Sequence, residues 1–354
     1  MARVLVTGGA GFIGSNIVEE LLKRGHHVRV LDNFSTGRRS NLEPFLRSVE
    51  MVEGDVRSPF TVMEAMKKVD FVLHQAALPS VPRSIKDPLT TNEVNVVGTL
   101  NVLRAALECG IRRVVYASSS SVYGNSEDLP KHEGMIPNPM SPYAAAKLAG
   151  EHYCQVFSRL YGLETVVLRY FNVFGLRQDP TSQYAAVIPR FIAAIREGRS
   201  PVIYGDGRQS RDFTPVANVV AANLRACEVQ LGEGEDKAKA EGEVKTKAKV
   251  RSRTPSVSTS TYPFLLSNVA VGERYTLNFL VNEICRVVGK RVKPIYEDPR
   301  PGDVKHSLAS IEILQRKLGL TRLMPFQVGL ERLVRLESHN RGPRTVLQRP
   351  PRPT

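Results

Sequence analysis

The sequence predicts an α/β protein: a doubly wound parallel sheet with a smaller C-terminal α/β domain beside it. Three observations lead to that class. Over about the first 120 residues, short apolar runs rich in β-branched residues alternate with helix-length stretches. The first run passes directly into a glycine cluster and then into a helical pattern. After Asn172 the alternation gives way to loop-rich sequence and a second set of helical stretches.

Taken in order, Arg3–Thr7 reads as a strand, Gly14–Arg24 as a helix and His27–Asp32 as a second strand. Met51–Glu53, Phe71–His74 and Arg113–Ala117 follow as strands, with a helix over Asn92–Glu108. Strands that are apolar throughout lie in a sheet covered on both faces, and right-handed crossovers then give the doubly wound order. Thr165–Leu168 continues the sheet, with helices at Ala186–Glu197 and Val216–Glu228. From Gly232 to Thr261 the chain is Lys, Glu, Ala and Gly, then Ser and Thr. So few apolar residues cannot offset the cost of ordering, and a flexible insertion is expected. Phe264–Val269 resumes the sheet, and Leu277–Val288 and Ile311–Leu318 read as helices of the smaller domain. The expected division is 1–171 with 211–271, interrupted by the insertion at about 232–261. A second domain takes 172–210 and 272–337, and a disordered basic tail takes 338–354.

At 354 residues, 42% hydrophobic and 24% charged, the chain has the makeup of a folded globular protein with two domains. No apolar run approaches the ~18 residues of a membrane helix. Met1 leads straight into the first strand without a secretory pattern, so a cytoplasmic, membrane-free protein is expected. Cys109, Cys154, Cys227 and Cys285 are too scattered for a disulfide framework or a metal site, and none is expected. Net charge is +14, part of it in the tail, where Arg341, Arg344, Arg349 and Arg352 stand without an acid. The rest is solvated surface able to steer an anionic substrate; no nucleic-acid motif accompanies it.

The glycine cluster is Gly8-Gly9-Ala10-Gly11-Phe12-Ile13-Gly14. Placed between strand and helix, these glycines permit a tight turn, let backbone amides approach a pyrophosphate, and bring the helix against the sheet. The helix N-terminus then faces the phosphates, a Rossmann-type dinucleotide site. Asp32 ends the second strand, where its carboxylate can accept from both ribose hydroxyls of NAD and repel the 2′-phosphate of NADP. Asn33 follows it, with Arg38 and Arg39 further on. Asp55, in Gly54-Asp55-Val56, can reach the adenine amino group or cap its own loop. Gln75-Ala76-Ala77 are small enough for the cofactor to lie along their backbone.

Further on stands Ser141-Pro142-Tyr143-Ala144-Ala145-Ala146-Lys147. Ser141 suits a helix cap and Pro142 the first helical position, which puts Tyr143 and Lys147 on one helix face. A tyrosine with its ordinary pKa of about 10 is a poor base at neutral pH. Bringing it down to neutrality takes roughly 4 kcal/mol, which an ammonium and an oxidised nicotinamide can supply together. The alanines let the helix approach the cofactor. Upstream, Ser118-Ser119-Ser120-Ser121 at a strand end offers a hydroxyl to the reacting oxygen.

With these motifs in place, the chain resembles the extended short-chain dehydrogenases/reductases over about residues 3–320, and within them the UDP-hexose 4-epimerases, including the N-acetylhexosamine type. The resemblance implies that Tyr143 is the base, that Lys147 lowers its pKa and binds the nicotinamide ribose, and that Ser119 positions the sugar O4. It also implies cofactor contacts from Gly8, Gly11, Phe12, Ile13, Gly14, Asp32, Asn33, Asp55, Val56, Ala76, Ala77, Asn95 and Val173. The UDP-sugar would meet Ser80, Ser119, Ser120, Asn172, Ala186, Val187, Tyr204, Arg211, Arg300, Asp303 and Ser307. Arginine forks suit a diphosphate. Ser307, four residues after Asp303, leaves room for an N-acetyl group where some members carry a tyrosine. Sugar dehydratases and UDP-glucuronate decarboxylases of the family carry an acid just after the catalytic hydroxyl; here Ser120 and Ser121 stand there, which favours C4 epimerisation, with UDP-glucuronate 4-epimerase or another nucleotide-sugar epimerase/dehydratase as the alternative. A non-catalytic dinucleotide sensor is the reading from another class. A homodimer is expected through the helices of Asn92–Glu108 and Ser141–Tyr161.

Overall fold

Seven strands hydrogen-bond side by side in one parallel sheet: β1 (Arg3–Thr7), β2 (His27–Asp32), β3 (Val49–Glu53), β4 (Phe71–His74), β5 (Arg113–Ser119), β6 (Glu164–Tyr170) and β7 (Phe264–Val269). Their order is β7-β6-β5-β4-β1-β2-β3. The computed structural model describes residues 1–179, 186–231, 262–299 and 305–339. The expected insertion, the segment 180–185, residues 300–304 and the tail from 340 lie outside the described residues.

Strand alternation builds two cores from one sheet. Val4, Val6, Val28, Val30, Val115 and Val166 face α1 (Phe12–Lys23) and a later helix, Val216–Glu228. Leu5, Leu31, Val72, Val114 and Val167 face the opposite way, onto α2 (Pro59–Met66), α3 (Gly98–Glu108) and α4 (Pro142–Tyr161). Each fully buried aliphatic side chain contributes roughly 1.5–3 kcal/mol, so a one-residue slip of any strand is strongly disfavoured. A third cluster joins α5 (Val187–Arg196), α7 (Leu277–Val288) and α8 (Phe326–His339); α6 is the Val216–Glu228 helix. Its hub is Phe326, whose ring meets those of Phe174, Phe213 and Tyr275.

Several elements differ from expectation. The first helix begins at Phe12 because Gly11 is its cap. The helix expected from Asn92 starts earlier, at Pro88, where Asp87 accepts from the Thr90 amide, and passes through a π-helical turn at Glu93–Val97 before α3. Ile311–Leu318 shrinks to a helix over Glu312–Arg316, closed by Gly319 at φ +68° and the Leu320 amide donating to Leu314. Helix α8 runs to His339, two residues into the expected tail. The loop-rich stretch contains two- and three-residue strands: Val173–Phe174 beside Thr214–Pro215, Val202–Tyr204 beside Ile295–Glu297, and Ser210–Arg211 beside Tyr275–Thr276. Strands this short leave no periodicity to read, yet they fix Asn172, Tyr204 and Arg211.

Candidate active site

Strand order reverses at β1, flanked by β4 on one side and β2 on the other. Parallel sheets open a crevice at such a point, beyond the strands' carboxyl ends. Each glycine there has its own task. Gly8 has φ +68°, and a Cβ on it would stand 2.6 Å from the Ala76 nitrogen. A Cβ on Gly14 would stand 2.2 Å from the Gly8 oxygen, so only glycine lets α1 pack this close. Gly11 has nearly open space beside it, its only close neighbour the Gly8 oxygen at 3.1 Å. No side chain caps α1, so the first-turn amides of Phe12, Ile13 and Gly14 have neither a capping partner nor an intrahelical acceptor. The cradle fits a pyrophosphate.

Asp32 is buried at the end of β2 and accepts from the amides of Ala10 (2.9 Å) and Phe34 (2.8 Å). Burial raises its pKa against those two bonds, and each oxygen retains a lone pair for a ribose hydroxyl. Arg38 is paired with Asp179 and Arg39 with Glu53, so neither is set aside for a 2′-phosphate. Asp55 takes the loop-cap role: it accepts from the Arg57 amide and side chain and from Asn33, and the Arg57 guanidinium holds it down to about 2. Val56 is buried against Gly98, where a Cβ would stand 2.7 Å from its side chain.

Sequence reasoning missed His74. At the end of β4 it is fully enclosed, with Nδ1 2.7 Å from Thr7 Oγ1 and Nε2 3.1 Å from Thr99 Oγ1. Thr99 donates to the Asn95 carbonyl (2.7 Å), so it must accept from Nε2–H; Thr7 accepts from the Ala76 amide (3.3 Å) and donates to Nδ1. Burial, helped by the Lys147 charge, pushes His74 down to about 3, which keeps it neutral. Asn95, in the π-helical turn, exchanges hydrogen bonds with both backbone groups of Leu78. The wall at 75–78, including Ala76 and Ala77, is thus pinned at both ends. A histidine closing an otherwise apolar strand was the available signal.

Helix α4 begins as its sequence dictates: Ser141 accepts from the Ala144 amide at 3.2 Å and Pro142 takes the first position. It brings half-buried Tyr143 into a hydrogen bond with Ser119, whose Oγ also accepts from the Ser121 amide at 3.2 Å; Ser120 follows it, half-buried. Lys147 is buried, its Nζ donating to the Ala117 carbonyl at 2.8 Å and lying 4.9 Å from the Tyr116 ring. Burial pushes Lys147 down to about 8. It also raises Tyr143, against the Ser119 bond. In the protein alone burial therefore prevails at Tyr143; the expected lowering called for the nicotinamide charge as well as the ammonium. Of the three alanines, Ala144 and Ala146 are buried and Ala145 is exposed, so two of them allow the close approach.

A second cavity beyond the carboxyl ends gathers Asn172, Val173, Ala186, Val187, Tyr204 and Arg211, with Arg190 among its other lining residues. Val173, expected at the cofactor, lines this cavity. Asn172 holds φ +31°, a strained conformation for a non-glycine residue, fixed by Nδ2 donating to the Asp212 carbonyl (3.3 Å) and by its own carbonyl accepting from Thr214 (3.2 Å). Arg211 Nη1 donates to the carbonyls of Ser210 (3.0 Å) and Lys305 (3.2 Å). Ser307 is buried beside it, its amide donating to Ser210 at 3.0 Å. Asp212, also missed, is buried and binds the amides of Val271, Gly272 and Ala309, with burial pushing it up to about 7. Ser80 caps a short helix over Val81–Lys86 and accepts from the Arg83 amide at 3.1 Å. Arg300 and Asp303 lie outside the described residues. Among the described residues no cluster of His, Cys, Asp or Glu is disposed to hold a metal, and no helix is long and apolar enough to cross a membrane.

Fold and site together define a dinucleotide-dependent enzyme of the serine–tyrosine–lysine kind. The NAD dependent epimerase/dehydratase family model matches residues 4–236, and the chain belongs to that family. A Methanocaldococcus jannaschii protein provisionally named UDP-glucose 4-epimerase is 35% identical over 339 residues, covering 95% of this chain and 99% of the relative. Among solved structures, the UDP-N-acetylglucosamine 4-epimerase of Methanobrevibacter ruminantium, in complex with UDP-N-acetylmuramic acid, superposes with a TM-score of 0.83 at 38% identity over 96% of this chain and 99% of that one. The Thermotoga maritima UDP-glucose 4-epimerase with UDP-glucose gives 0.82 at 31% identity, with the same coverage.

Proposed function

We propose that this chain is an NAD-dependent UDP-sugar 4-epimerase. The observation that carries the reading is the Ser119–Tyr143 hydrogen bond with Lys147 one turn on, at the mouth of the switch-point crevice. Tyr143 takes the proton from the sugar O4 and Ser119 holds that oxygen. NAD, held by the glycine cradle and Asp32, would supply the hydride acceptor for C4 and the donor for its return, so that C4 is inverted. Lys147, freed from Ala117, contributes the positive charge that turns the phenol into a base. The carbonyl it leaves is then free to accept from another donor.

The diphosphate is read as lying at Asn172 and Arg211, with Arg300 and Asp303 joining them, and the uracil as stacking on Tyr204. Buried Ser307, in place of a bulky ring, supports acceptance of N-acetylated sugars. The residues at 1–171 and 211–271 serve the cofactor, and those at 172–210 and 272–337 the nucleotide sugar. Two copies pair through α3 and α4, where Leu107, Val156, Leu160 and Tyr161 are exposed apolar side chains. Four unpaired cysteines fit a reducing, cytoplasmic setting.

Tyr143→Phe removes only the hydroxyl, so turnover of UDP-glucose and UDP-N-acetylglucosamine should fall by at least about a hundredfold with unchanged thermal unfolding. Near-normal turnover by the folded variant would remove Tyr143 as the base.

A further inference from the structure

Helix α4 is stitched to the end of β5 through four consecutive residues. The Tyr116 hydroxyl donates to the Lys147 carbonyl at 3.4 Å, beside Gly150, where a Cβ would stand 2.2 Å from that hydroxyl. Lys147 Nζ donates to the Ala117 carbonyl, the Ser118 hydroxyl donates to Glu151, and Ser119 bonds Tyr143. Glu151 lies one turn beyond Lys147 on the buried face of α4. Its carboxylate also accepts from Arg169 Nε (2.9 Å) and Nη2 (2.6 Å). Ser118 and Arg169 are register partners on β5 and β6. A buried ion pair is not in itself a stabilising choice, so this one asks for a reason beyond packing.

We propose that Glu151 is a positioning residue that sets the Ser119 strand end against Tyr143 and holds the proton on Lys147. Around Lys147 stand Tyr143, Glu151 and Cys154 from its own helix, Tyr116 from β5 and His74 from β4. Burial keeps the Cys154 thiol, the Tyr116 phenol and His74 neutral. Cys154 and Glu151 both work against the burial that lowers Lys147; the thiol is held neutral by its own burial, which leaves the ion-paired Glu151 carboxylate. Arg169 on β6 partly cancels that anion. The tether and the charge come from one carboxylate: lose it, and Ser118 and the Lys147 proton loosen together. The inference rests on the proposed roles of Tyr143 and Lys147.

The test compares the wild type, Glu151→Gln, Arg169→Gln and the double variant, each paired with its Tyr143→Phe counterpart. Two readouts are followed against pH: kcat with whichever of UDP-glucose and UDP-N-acetylglucosamine is turned over, and the Tyr143 phenolate absorbance as the difference within each pair. Glu151→Gln should move the alkaline limb of kcat down by about one pH unit or more and delay the phenolate to higher pH. Arg169→Gln should move both the opposite way, because Glu151 then acts on Lys147 without its competing cation. If Glu151→Gln alone does not fold, the double variant, which removes both charges, is expected to follow its direction. Lower rates with an unmoved limb and an unmoved phenolate titration would reduce Glu151 to packing and overturn the proposal. Near-normal turnover by Tyr143→Phe would instead overturn the assignment beneath it.

Discussion

His74 shows how a single residue can carry a pH signature. Its folded pKa of about 3 lies below the ordinary 6.5, so between those values the unfolded chain binds a proton that the folded one refuses. Stability therefore falls as pH drops through that window, by about 1.4 kcal/mol per pH unit from this group. Asp55, held down by Arg57, has the same sign but acts only below its ordinary value of 3.8. Asp212, pushed up to about 7, has the opposite sign between about pH 4 and 7 and offsets the net slope, so the His74 contribution is the difference between the wild type and a His74 variant. In urea unfolding across that range, His74→Gln should lose this slope while costing about 1–3 kcal/mol at neutral pH for its broken relay. An unchanged slope would mean that His74 is already exposed to protons in the native state. Tyr143 and Lys147 were legible because four residues of helix define their relation. His74, Glu151 and Asp212 were not, because their partners lie far along the chain, 18 residues away for Arg169 and 67 for Thr7.

At the scale of elements, most strands could be read because β-branched and aliphatic residues dominate them, and the helix-length stretches between them pointed to a parallel sheet. The π-helical turn at Glu93–Val97 could not, since one extra residue in a helix leaves the local pattern nearly intact. Nor could the two-residue strands, whose existence depends on pairing across 41 positions in Val173↔Thr214. The β1–α1 junction permits a sharp separation of roles. Gly11→Ala adds a methyl into the open cradle, so thermal unfolding should barely change while NAD affinity falls at least about tenfold. Gly14→Ala drives a methyl into the Gly8 backbone and should cost about 1–3 kcal/mol of stability before any ligand is added. NAD titration calorimetry and thermal melts on both variants check the pair; equal effects on the two would contradict the division of labour among the glycines.

For the whole molecule, the sheet order places the glycine cradle, the pinned wall at 75–78 and the Tyr143 helix around one crevice, and a third core holds the second cavity next to it. On the proposed reading, a nucleotide sugar in that cavity would turn its reacting carbon toward the cofactor. The central claim is a hydride that leaves C4 and comes back to it. The most direct measurement supplies the purified protein with NAD and with UDP-glucose or UDP-N-acetylglucosamine deuterated at C4, and follows the sugar by NMR. The expected result is the C4 epimer of at least one sugar with deuterium still at C4, because a hydride held within the site does not exchange with water. Formation of the epimer with its C4 deuterium lost to solvent, or no C4 inversion of either sugar, would contradict the account.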